Sequence, residues 1–306
     1  MFREMKLNSR LIGPLLAAAL FYFNPIHAQD DLLGLLDEET EEVERVKNAF
    51  KSTRVIGSHS LEHVAGGVLD FRIMHRFGSL RGGSYEAFGL DAATIRLGLD
   101  YGITDRLTVG IGRSSLYKEV DGFLKYRAVW QSRGGKKIPV SVILVSGITR
   151  NAMKWSDPTR ENFETSRLGY YHQIIVGRKF SDAFSLQIAP VMVHRNLVQK
   201  TTDKHDTYHL EIGSRIKLSK RIALTVDYFY GLQDQFDESL GITNPLSLGF
   251  DIETGGHVFQ LMLTNSNGTD HRSFLTEANQ KWRDGGIRFG FNVSRVFTIV
   301  KPKPML

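Results

Sequence analysis

The chain contains no cysteine. That excludes a disulfide framework, a lipid-anchored amino-terminal cysteine and any metal site built on thiolates. Long apolar runs are almost as scarce. Leu11–Phe23 is the only one, and it falls short of the ~20 residues a membrane-crossing helix needs. Clustered basic charge is missing too. The net charge is +6, but lysines and arginines are scattered through alternating segments, which sets nucleic acid aside as a partner.

Leu11–Phe23 follows Arg3, Lys6 and Arg10 and precedes Pro25-Ile26-His27-Ala28. This pattern predicts a secretory signal peptide over residues 1–28, cut after Ala28. Ile26 is bulkier than the cleavage site prefers. An amino-terminal anchor is the competing reading, disfavoured by the short run and the small residue at the cut. Residues 29–66 then form an amino-terminal periplasmic segment. Its first part is acidic, with Asp30, Asp31, Asp37, Glu38, Glu39, Glu41, Glu42 and Glu44. Leu32, Leu33, Leu35, Leu36, Val43 and Val46 predict a helix over Asp31–Asn48, against a disordered acidic leader. Such a segment serves as a periplasmic arm, an internal plug or a handle for a partner. Lys51–Ile56 reads as a short strand that lines a barrel wall or crosses its lumen.

From Val68 the chain reads as strands whose links alternate short and long. The tight links are Ile103–Asp105, Gly134–Lys137, Phe180–Ala183, Ser219–Arg221 and Gly255-Gly256. The loose ones are Ser79–Ala92, Asn151–Arg167, Gln233–Pro245 and Asn265–Gly285. Short turns at one end and long loops at the other are the habit of outer-membrane barrels. Twelve strands are expected: Val68–Phe77, Ala93–Gly102, Arg106–Ser115, Gly122–Gln131, Ile138–Thr149, Leu168–Arg178, Phe184–Arg195, Thr207–Leu218, Ile222–Tyr230, Leu246–Glu253, His257–Thr264 and Ile287–Phe297. The fold class is therefore all-β, a transmembrane antiparallel up-and-down barrel over residues 67–299, with residues 300–306 as a tail.

Side chains alternate faces along a strand. In Gly122–Gln131, Leu124, Tyr126, Ala128 and Trp130 oppose Lys125, Arg127 and Gln131. Alternation alone fits a soluble barrel equally well. Aromatics near strand ends on the apolar face (Tyr101, Tyr126, Trp130, Tyr170, Tyr228, Tyr230) read as an interfacial girdle. Glycines on the other face (Gly98, Gly110, Gly112, Gly177, Gly213, Gly249, Gly290) relieve crowding in a narrow lumen. The candidate lumen-lining charges are Asp70, Arg72, Arg76, Arg96, Asp100, Lys125, Arg127, Glu211, Arg215, Lys217, Asp227 and Asp251. They suit a polar pore that selects solutes, or a closed lumen in which they pair.

Other motifs carry less. Gly110–Ser114 lacks the strand-loop-helix context of a phosphate loop. His59, Glu62 and His63 have ligand spacing but no third ligand. Asp270-His271-Arg272-Ser273 reads as a solvated polar loop rather than a catalytic site. Pro190 within a strand marks a bulge or strand end. A hydrolase on the lipid-facing surface would need a serine beside a histidine. His75 and His194 lie on apolar faces, yet neither has an evident serine neighbour.

Ala49–Ile56 (AFKSTRVI), Gly67–Gly78 (GVLDFRIMHRFG), Gly89–Ser115 (GLDAATIRLGLDYGITDRLTVGIGRSS) and Asp121–Arg127 (DGFLKYR) resemble an outer-membrane β-barrel family of unknown function typical of Bacteroidota, domain of unknown function 5777. The resemblance implies an exported, membrane-bound barrel and brings no activity, cofactor or functional residue. The expectation is an outer-membrane channel or accessory transport component for small solutes, surrounded by outer-membrane lipid, with no catalytic residue, cofactor or metal. The alternatives are a scaffold barrel that docks a periplasmic or membrane protein through the acidic segment, and a lipid hydrolase.

Overall fold

The structure, a computed structural model, describes residues 42–232 and 234–301. The expected signal peptide, the acidic stretch through Glu41 and the tail beyond Lys301 lie outside the described residues. The helix expected to reach Asn48 does not cover residues 42–48. Glu44 and Arg45 instead pair, antiparallel, with Arg133 and Ser132.

Twelve antiparallel strands close into a barrel. They are β1 Val68–Ser79, β2 Ala93–Thr104, β3 Leu107–Ser114, β4 Val120–Val129, β5 Ser141–Arg150, β6 Leu168–Lys179, β7 Phe184–Arg195, β8 Asp206–Lys217, β9 Ile222–Gly231, β10 Leu246–Thr254, β11 His257–Thr264 and β12 Arg288–Thr298. Each pairs with its sequence neighbour, and β12 pairs with β1 from Thr298↔Val68 to Arg288↔Ser79. Closure leaves the barrel wall no sheet edge, so along most of its length backbone N–H and C=O groups pair between neighbouring strands.

The inner and outer faces follow the period of two. Along β1, Asp70, Arg72, Met74 and Arg76 are buried. Along the outer face of the wall, Leu97, Leu99, Ile111, Leu124, Ile174, Ile212, Phe250 and Leu261 are exposed. A continuous apolar belt of this kind is unstable in water. Placed in lipid, each such side chain gains roughly 1.5–3 kcal/mol.

Two departures from the expected pattern have local causes. β4 carries a register shift between Arg127 and Val129. The shift flips the following residue, so Trp130 is buried rather than part of the outer girdle. Tyr126 and Tyr230 remain on the outer face. The short–long rhythm also has exceptions. The link over residues 115–119 is short but lies at the end of the long loops. It makes its tight bend with Tyr117 and Lys118 at φ +54° and +49°. The link over residues 130–140 is the longest at the turn end, because it holds the strand pair with Glu44–Arg45.

Candidate functional site

The lumen is filled. Residues 46–66 enter from the turn end and run up the bore as an irregular hairpin. Its entry is clamped: Trp130 Nε1 donates to the Val46 carbonyl at 2.8 Å, and Val46 N–H donates to the Gln131 carbonyl at 2.9 Å. The guanidinium of Arg127 lies 3.9 Å from the Trp130 ring centre. Inside, Arg54 bridges His59, Val55 N–H donates to Ser58 O at 3.0 Å, and Ser60 N–H to Thr53 O at 3.0 Å. The expected strand over Lys51–Ile56 thus proves to be one arm of this hairpin, crossing the lumen.

The wall grips the hairpin with polar side chains. Asp227 Oδ2 accepts the Gly57 and Ser58 N–H groups at 2.9 and 3.0 Å. Glu211 Oε1 accepts the Ser58 hydroxyl at 2.7 Å. Gln260 and Asn292 donate to the Val55 and Ile56 carbonyls at 2.7 and 2.9 Å. Arg72 reaches Ser52 Oγ and Thr53 Oγ1, both at 2.7 Å, while also pairing with Asp70 at 2.6 Å. Lys125 Nζ donates to the Glu62 carbonyl at 2.5 Å, and Arg127 to the Leu61 carbonyl at 2.9 Å.

A second stopper descends from the loop end. The segment expected to be a solvated loop is instead a short buried helix, α1 His271–Thr276, with Asp270 accepting the Ser273 N–H at 2.9 Å as its cap. Phe274, Leu275 and Ala278 are fully buried, and this apolar content draws the loop inward. The His271 ring packs against Tyr171 at 4.6 Å and against His59 at 5.6 Å. The two stoppers meet at Gly57, where a Cβ would lie 2.6 Å from the Phe274 ring. Only glycine fits that contact. Burial holds His59 well below its ordinary pKa, helped by Arg54 and Lys125. Burial also lowers His271, to about 3. Both rings are neutral packing groups at physiological pH.

Eleven of the twelve candidate lumen residues are buried in the bore. Lys217 is the exception. It keeps the inward parity but stands at the turn-end rim of β8, beyond the hairpin, and is exposed. The other charges do not all pair with one another. Arg96 forms a two-pronged pair with Asp121 at 2.7 and 2.6 Å. Arg76 donates to Asn292 Oδ1 at 2.9 Å and leaves its Nε and second terminal nitrogen without a hydrogen-bond partner among the described residues. Asp121, Gln187, Gln260 and Asn292 were missed as site residues, although each shares the inward parity of its strand. Their signal is the same alternation, in residues that are less conspicuous than a run of charges.

The lumen has two sectors. The middle of β5–β7 presents Ile143, Val145, Tyr171, Ile175, Ala189, Val191 and Val193 to Phe50, Val55 and Leu61 of the hairpin and to Phe274 of α1. Phe123 of β4 and Phe229 of β9 extend this cluster at its edges, while most of the buried charges lie on β1–β4 and β8–β12, Arg195 near the end of β7 excepted.

The remaining motifs are placed apart. Glu62 accepts the Ala49 N–H at 2.6 Å, His63 Nδ1 lies 3.2 Å from Arg127, and His59 Nε2 lies 3.4 Å from the Tyr171 hydroxyl. The three do not converge. On the outer face His75 stacks on Phe291, and His194 lies between Asp206 and Asn196. A serine–histidine pair does occur there: Ser146 Oγ lies 3.1 Å from His172 Nδ1 across β5 and β6. No carboxylate hydrogen-bonds to that histidine among the described residues, so the orienting third member of a hydrolase site is missing. The pair satisfies two polar groups that face lipid.

These features define a membrane-spanning β-barrel with a filled bore. Residues 50–297 match the family described as a membrane bound beta barrel domain (DUF5777), and the chain belongs to that family. No curated protein matches it. Among solved structures it is similar to the NanC porin, at 8% identity over 76% of this chain and 100% of that one, with a TM-score of 0.46. It is also similar to the KdgM porin, at 9% identity over 75% and 99%, with a TM-score of 0.45. A third is the COG4313 outer membrane channel from Pseudomonas putida F1, at 12% identity over 78% and 98%, with a TM-score of 0.41. The likeness is one of barrel form.

Proposed function

We propose that the protein is an outer-membrane channel for small polar solutes, held closed by its own amino-terminal hairpin. The observation that carries this reading is the division of the lumen. Its β5–β7 sector packs the hairpin with apolar side chains, so charge is not required to seat a plug in this bore. Buried ion pairs stabilise less than well-packed apolar residues of similar volume. Charges on the other sector, from Asp70 and Arg72 round to Asp227 and Asp251, are therefore those of a wall that meets water and solute when the hairpin shifts. The hairpin's polar grip consists largely of hydrogen bonds that water can replace at a net cost of about 1 kcal/mol each.

In this reading the short turns and the chain's amino-terminal segment face the periplasm, and the long loops face outward. The test is conductance in planar bilayers. The intact barrel passes little current. Asp227→Ala, which frees the hairpin tip, gives discrete openings, and Arg72→Gln in that background shifts their ion selectivity. A correctly folded barrel that stays silent with Asp227→Ala, and with residues 46–66 deleted, overturns the reading.

A scaffold reading rests on a different observation. Glu44–Arg45 is stitched to Ser132–Arg133 at the turn end, the end that would dock a periplasmic protein partner. Loss of a co-purifying partner on deletion of residues 29–41, with the barrel still inserted, would favour it.

A further inference from the structure

At the loop end a vestibule of about 520 Å3 opens between the loop over residues 151–167, the loop after β7 and α1. Among the residues lining it are Tyr117, Trp155, Arg167, Arg195, Gln199 and Arg272, together with one acid, Glu277. Arg195 is 4% exposed; its side chain donates to the Lys204 carbonyl at 3.0 Å, rests 5.0 Å from the Phe236 ring centre, and leaves its Nε without a hydrogen-bond partner among the described residues. No carboxylate lies within ion-pair distance of it among the described residues. A buried guanidinium left this way is costly unless an anion completes it.

Glu277 shows how the vestibule treats a carboxylate. It follows directly on α1 and receives three donors: the Tyr117 hydroxyl at 3.2 Å, Gln199 Nε2 at 3.1 Å and Arg272 at 3.3 Å. Arg272 keeps Glu119 as its principal partner through two parallel hydrogen bonds. It therefore stays held when Glu277 leaves. Tyr117 reaches its position from a left-handed backbone conformation, φ +54°. Such strain is sustained where the surroundings require the placement.

We propose that this vestibule is a binding site for small carboxylate-bearing solutes, and that Glu277 is the built-in carboxylate they displace. The proposal deepens the channel reading and rests on it for the meaning of the site. An incoming carboxylate takes the Tyr117, Gln199 and Arg272 donors and adds Arg195, which Glu277 does not reach. Displacing Glu277 frees the carboxyl end of α1, the stopper that covers the hairpin tip.

The test uses the full-length barrel in detergent, titrated calorimetrically with succinate and with its neutral analogue succinamide. The wild type binds succinate in the millimolar range and not succinamide. Arg195→Gln weakens succinate binding about tenfold, the loss expected for one charge-assisted hydrogen bond. Glu277→Gln strengthens it by removing the competitor, and this gain separates a ligand site from a merely structural cluster. Equal binding of succinamide, or no succinate binding by either wild type or Glu277→Gln, overturns the proposal. Conductance is read separately. Binding without current retires the channel reading and keeps the site; current without binding retires the site.

Discussion

Asp227 holds Ser58 by its backbone: one carboxylate oxygen on β9 accepts the Ser58 N–H at 3.0 Å at the tip of the hairpin, and the Gly57 N–H beside it at 2.9 Å. Gln260 Nε2 and Lys125 Nζ each likewise donate to two main-chain carbonyls of the plug. Asp227→Ala leaves both N–H groups buried and unpaired, at a cost of about 2–4 kcal/mol. Limited proteolysis of the reconstituted barrel reads the outcome: cleavage at Lys51 and Arg54 speeds up while the wall stays resistant. Unchanged cleavage would show that the tip is held by packing alone.

Gly112 makes room for an ion pair. A Cβ there would lie 2.1 Å from a terminal nitrogen of Arg96, whose guanidinium is locked onto Asp121. Gly112→Ala forces that pair apart and destabilises the barrel by about 1–3 kcal/mol. Arg96→Met in the same chain removes the clash, so the double variant recovers part of the loss. Equilibrium unfolding in urea, followed by tryptophan emission, gives both numbers.

Trp130 is the latch at the turn end. Trp130→Ala deletes the hydrogen bond to Val46 and the surface on which the Arg127 guanidinium rests. A loss of roughly 3 kcal/mol is expected, the low end for truncating a large aromatic residue. It should concentrate in the arm, with amide exchange rising over residues 44–50 and not over β9 or β10.

Asp270 makes stability depend on pH. Burial, with Glu119 nearby, raises its carboxyl from the ordinary 3.8 to about 7. The folded chain therefore holds a proton there that the unfolded chain releases near pH 4. Linkage then gives a contribution that is full below about pH 4 and is lost as pH rises through about 7. Asp270→Asn removes the titration and flattens the stability profile across that window. A wild-type profile already flat between those limits would refute the assignment.

The wall was legible because two of its rules are short-ranged. Alternation sorts Leu124 from Lys125 without knowledge of the rest of the chain, and both went to the face expected. The same rule fails wherever the backbone breaks step, and the register shift after Arg127 sent Trp130 inward. It fails again at a rim, where Lys217 has the right parity and nothing to face. The plug was visible only as possibilities. Residues 49–64 follow neither a period of two nor a helical one, because only a few of their backbone groups bond to each other and many are held by Asp227, Gln187, Gln260 and Asn292. The six residues of α1 are too few for a helical pattern, and their burial depends on Gly57, far away in the sequence.

The seam between β12 and β1 sets an order of assembly. The last strand must find the first, so the wall stays an open sheet until β12 meets β1. The hairpin lies immediately ahead of β1, joined to it by Ala65-Gly66-Gly67. It cannot drift from the strand at which closure ends. The chain therefore carries its stopper at the seam, so that closing the wall and filling the bore involve one continuous stretch of chain.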